Sequence, residues 1–124
     1  MLPALLLVAV LAVLAVFQIA LALGAPLGRF TFGGRHPGVL PVGLRVAAAL
    51  SVAVYALMGT LALDRAGVIA VYPADASRIG MWVVFGFLVL NTIPNAISPS
   101  RSERLVMTPL LIVMSVLALL VALG

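Results

Sequence analysis

Residues 2–23 read LPALLLVAVLAVLAVFQIALAL, and Gln18 is the one polar side chain among them. At about 1.5 Å of rise per residue, roughly 20 apolar residues cross the hydrocarbon core of a bilayer, so this run is long enough to span it. It lacks a positively charged start and is longer than the roughly 7–15 apolar residues of a secretion signal. Pro26 follows the small pair Gly24-Ala25, where a cut would fall and where proline blocks processing. The run is therefore expected to be retained as a membrane helix.

Three further apolar runs lie at about 40–63, 79–97 and 105–123. The expected fold is an all-α membrane protein, one domain over residues 1–124, with four transmembrane helices at 2–23, 40–63, 79–97 and 105–123 in an up-down bundle. Composition agrees. Of the 124 residues 65% are hydrophobic and only 8% charged, with a mean hydropathy of +1.37, whereas a wetted globular surface needs about 25% charged residues. Lipid must serve as the solvent for most of the chain.

All seven cations are arginines, the acids number three, and the formal charge is +4. So few cations in so apolar a chain set membrane orientation and give no footprint for nucleic acid. With lysine absent and Ala, Val, Leu, Gly and Pro abundant, the arginine bias reads as GC-rich codon usage. No cysteine is present, which excludes disulfides, thiolate nucleophiles and Cys-ligated metal, and one histidine excludes bis-imidazole haem. No cofactor or metal is expected.

Four crossings put both termini on one side. Loops one and three with their flanks carry Arg29, Arg35, Arg45, Arg101 and Arg104, while loop two carries Arg65 and Arg78, partly offset by Asp64 and Asp75. The positive-inside rule then places loops one and three in the cytoplasm and both termini outside, with Tyr72 and Trp82 in the outer aromatic belt. Small residues recur at helical spacing at Ala49, Ala53, Ala56 and Gly59, and again at Ser115, Ala118 and Ala122, so both stripes are candidates for close helix packing.

The polar residues gather toward loops one and three. Gly24 to Gly38 forms a glycine- and arginine-rich loop in which Gly33 and Gly34 can turn successive N–H groups into an anion nest, with Arg29, Arg35 and His36 beside it. A plain helix connection with its arginines among lipid headgroups explains the same residues. Gln18, Asn91, Asn95 and Thr108 lie within one to two turns of the same membrane boundary, and with Arg45 they form a polar layer supplied by all four helices. Such a layer suits a headgroup site or vestibule, or a network that only ties the bundle together. Arg45 follows Pro41, read as a first-turn proline, and can be buried or can snorkel. Ser100-Arg101-Ser102-Glu103 fits a capping box, with Ser100 and Glu103 as structural caps.

Gly24-Ala25-Pro26-Leu27-Gly28-Arg29, then Gly33-Gly34-Arg35-His36-Pro37-Gly38-Val39-Leu40-Pro41, and residues 95–104 resemble an uncharacterised family of small four-helix integral membrane proteins from GC-rich bacteria. The resemblance implies two polar cytoplasmic loops in a bacterial inner membrane and brings no activity or substrate with it. Small multidrug exporters share this length and helix number but depend on a glutamate in the first helix. Here that helix offers only Gln18.

The function expected from these residues is non-enzymatic: binding of an anionic lipid headgroup or small ligand at the cytoplasmic face, as a transport or accessory subunit. The candidate ligand-binding residues are Gln18, Arg29, Gly33, Gly34, Arg35, His36, Arg45, Asn91, Asn95, Arg101 and Arg104. The alternatives are a homo-oligomeric small transporter or channel and, third, a lipid-directed enzyme using His36 and Glu103. Expected partners are membrane lipids, anionic ones in particular, together with a second copy of the chain or a larger membrane complex.

Overall fold

A computed structural model describes residues 1–73 and 75–124. Its helices are α1 (Leu2–Ala22), α2 (Val42–Arg65), α3 (Ala76–Ala96) and α4 (Arg101–Leu123), and among the described residues there is no strand. All four are long and apolar enough to cross a membrane. Each helix packs beside its successor, α1 also packs against α4, and α2 touches α4 across the middle, which makes an up-down four-helix bundle.

The hydropathy runs locate the helices, but α3 and α4 begin three and four residues earlier than the apolar signal does. Polar residues can extend a helix into the headgroup zone when its first N–H groups find partners. Ser100 does this for α4 by accepting from the Glu103 N–H at 3.3 Å. Pro41 stands just outside α2 as its N-cap, so the helix starts one residue later than a first-turn proline would put it.

Both long loops begin at a glycine that stops a helix. Gly24 (φ +103°) and Gly67 (φ +81°) take the left-handed conformation. After α1, the Gly24 and Ala25 N–H groups bond the carbonyls of Leu21 and Ala20; after α2, those of Gly67 and Val68 bond Asp64 and Leu63. This paired closure is the Schellman arrangement, and it satisfies carbonyls that a helix end would leave open.

Packing divides the bundle into two unequal halves. Leu7 and Leu11 of α1, Ala62 of α2, Met81 and Val84 of α3, and Ala118 and Ala122 of α4 fill the half next to loop two and the termini. A second, smaller cluster of Leu21, Leu40 and Ala48 seats the start of α2 against the end of α1. The outer surface is apolar, with Val13, Val16, Leu50, Val83, Leu90 and Leu123 all exposed, as lipid contact requires. Of the two small-residue stripes, Ser115, Ala118 and Ala122 are buried in the core, whereas Ala49, Ala53 and Ala56 face outward. On α2 Gly59 faces Val8 and Leu11 of α1, with room for a Cβ at ordinary contact distance.

A loop-roofed cavity at one end of the bundle

Loop one folds over the end of the bundle as two short 3-10 turns, Gly28–Phe30 and Phe32–Gly34. The Gly28 N–H bonds the Gly38 carbonyl at 3.0 Å, and a side chain on Gly28 would run into the backbone carbonyl of His36. Glycine is required there because two stretches of the loop cross in contact. Phe32, Gly33 and Gly34 all have positive φ, at +51°, +69° and +73°. For Phe32 this left-handed conformation costs about 1–2 kcal/mol, so the surrounding bonds must hold it.

Those bonds come from the start of α4. The Gly33 N–H donates to Glu103 Oε2 at 3.0 Å, and the Ser100 hydroxyl donates to the Arg29 carbonyl. Glu103 is only 6% exposed. Its carboxylate does not reach back to the Ser100 N–H, which bonds Ser98 Oγ at 3.1 Å instead. The capping box is therefore half formed, and its acid clasps loop one from a position where the helix N-terminus also favours negative charge. The Gly34 N–H goes to the Thr31 carbonyl. Both N–H groups of the expected anion nest are thus taken within the chain, so an external anion at this loop would be held by the arginines.

Under the loop lies a cavity of about 270 Å³ between all four helices. Gln18 of α1, Ser51 and Tyr55 of α2, and Asn91 and Asn95 of α3 line it, with Met107 and Met114 of α4 on the remaining side. Phe30, Thr31 and Phe32 form the roof. An adjoining groove between loop one and the end of α3 shares Thr31, Phe32, Asn91 and Asn95 with the cavity. The opposite half of the bundle is filled by the core, so the cavity is confined to the half beneath loop one.

Gln18 Nε2 meets the Tyr55 hydroxyl at 3.3 Å. The side-chain amides of Asn91 and Asn95 donate to the carbonyls four residues earlier, Phe87 at 2.8 Å and Asn91 at 2.7 Å. Ser51 likewise bonds Ala47. The Thr108 hydroxyl, on α4 beside Met107, is buried with no partner. Among the described residues no charged side chain lines the cavity.

The structure thus joins Gln18, Asn91 and Asn95 around one space and sends the other candidates elsewhere. Arg45 lies outside it: its Nε donates to the Ala22 carbonyl at 2.9 Å, where the end of α1 leaves carbonyls open and a cation is favoured. Arg65 does the same for α4 at the far end of α2, donating to the Ala122 carbonyl at 3.2 Å. Arg35 and His36 line a shallow surface groove with Gly33 and Pro41, while Arg29 lies over the Phe30 ring, 4.8 Å from its centroid. Arg104 bonds the Ser98 carbonyl at 3.0 Å, and Arg101 is exposed. His36 and Glu103 open onto different grooves and share no hydrogen bond. Among the described residues no cluster of metal-ligating side chains occurs.

Ser51, Tyr55 and Thr31 complete the cavity and were outside the expected set. The i, i+4 spacing of Ser51 and Tyr55 on one face of α2 was the available signal. For Thr31 there was none, because its position depends on how loop one folds back.

Comparison with family models, curated proteins and solved structures finds no match. The family resemblance of the loops thus rests on their sequences alone, and the fold supports the coarser statement: this is a small membrane protein with four apolar helices.

Proposed function

We propose that this protein is a non-catalytic binding protein of a bacterial cytoplasmic membrane, with loops one and three inside and both termini outside. In this reading its cytoplasmic face holds anionic lipid headgroups on Arg29, Arg35, Arg101 and Arg104, and its cavity takes a small ligand from that side. The supporting observation is the pairing of a core-filled half with a hollow half that lies under loop one, at the end of the bundle where these arginines collect. In this reading it acts as a transport or accessory subunit. The alternative, a homo-oligomeric transporter or channel, would need its path between copies, since Leu7, Leu11, Met81 and Ala118 fill the middle of a single bundle.

Native mass spectrometry in mixed anionic and zwitterionic lipid tests the reading. Arg29→Ala and Arg35→Ala should each lower anionic-lipid retention about fivefold, the effect of about 1 kcal/mol per arginine at the surface. Unchanged retention in both variants would refute headgroup binding at this face.

A further inference from the structure

The cavity's polar groups specify the kind of ligand it can hold, provided it is the ligand site proposed above. Asn91 and Asn95 each place an amide nitrogen 2.7–2.8 Å from a backbone carbonyl oxygen. Only the NH2 end of an amide can make that contact, because two carbonyl oxygens so close would repel, so the orientation of both side chains is fixed. Their oxygens are left as acceptors without a partner among the described residues. The Gln18–Tyr55 pair can supply either a donor or an acceptor, depending on which way the amide turns.

An anion would face two carbonyl oxygens with no cation in the cavity, and an ammonium would lose its hydration with no carboxylate there to replace it. Glu103, the nearby acid, faces the adjoining groove and already accepts from Gly33. The rest of the lining is apolar, with Phe17, Phe30 and Phe87 and the thioethers of Met58, Met107 and Met114 set among aliphatic side chains such as Leu14 and Leu111. These suit the edge and face of a flat ring. The volume of about 270 Å³ is nearly twice the roughly 150 Å³ that accommodates benzene in an engineered apolar cavity, which scales to about eleven non-hydrogen atoms.

We infer that the cavity binds a small, neutral, ring-bearing amphiphile through one hydrogen-bond donor, a phenol or alcohol, given to Asn91 or Asn95. Naphthalene, 1-naphthol and 1-naphthoate share one ring system and differ in the property at issue. The full chain in lipid nanodiscs is dialysed against each, with empty nanodiscs measuring uptake by lipid alone. Retention of 1-naphthol should exceed that of naphthalene about fivefold, with 1-naphthoate weakest. The double variant Asn91→Leu, Asn95→Leu should bring 1-naphthol down to the naphthalene level, and Ser51→Leu, which narrows the cavity without touching either asparagine, should lower both together. Should the double variant fail to fold, the three-probe comparison on the unaltered protein still decides. Equal retention of naphthalene and 1-naphthol, or preference for 1-naphthoate, overturns the neutral-donor class and leaves cavity binding standing. No retention of any probe above empty nanodiscs overturns both.

Discussion

Gly34 and Phe32 sit two residues apart, and both take the left-handed conformation, for which only one of them is suited. A Cβ on Gly34 would lie 2.6 Å from Cβ of Ser100, so Gly34→Ala combines backbone strain with a clash at the clasp. It should cost about 2–3 kcal/mol and lower the unfolding temperature of the protein in detergent. Phe32 allows a sharper test, because Phe32→Ala and Phe32→Gly both remove the ring while only glycine removes the strain. The glycine variant should be the more stable of the two by about 1 kcal/mol in thermal unfolding. Equal stability would mean that the bend is unstrained. The need for positive φ at Gly33 and Gly34 was legible from the glycine pair. Phe32 was not legible, since nothing about a phenylalanine announces that its neighbours will force it to turn.

At the level of elements, one hydroxyl joins two parts of the chain. Ser100 caps α4 and also bonds the Arg29 carbonyl, 71 residues away. Ser100→Ala should therefore cost more than an ordinary cap, about 2 kcal/mol, and should speed hydrogen exchange at the Gly33 and Gly34 amides as loop one lifts. Faster exchange confined to the first turn of α4 would show that the clasp depends on Glu103 alone. The two ends of α2 follow a common rule: Arg45 and Arg65 each reach the last turn of a neighbouring helix, α1 and α4 respectively. Arg45→Met keeps the length of the side chain and removes its charge, and should destabilise the bundle by about 1 kcal/mol in denaturant unfolding. The spacing of the two arginines along α2 was visible in the sequence, but their partners were not, because both carbonyls lie on other helices.

On the scale of the whole molecule, orientation is the first thing to measure, and the absence of cysteine makes it simple. Single variants Arg35→Cys and Val71→Cys, in exposed parts of loops one and two, should react with a membrane-impermeant thiol reagent from opposite sides. Val71→Cys should label in intact cells and Arg35→Cys only after lysis. The reverse pattern would turn the cavity mouth outward and refute the cytoplasmic face.

Sequence alone determined that the chain lives in lipid as four helices, because crossing a bilayer needs about 20 apolar residues and those runs are local and unbroken. It also marked the end of the bundle where polar side chains collect, since depth along a helix follows from residue count. Which of those side chains share a space was decided by the tertiary structure. Gln18, Asn91 and Asn95 meet around the cavity, while Arg45 turns to α1 and Glu103 closes the glycine loop. The reason is that a freed carbonyl or N–H buried near a charged side chain claims it first, and those partners stand on elements far apart in the chain.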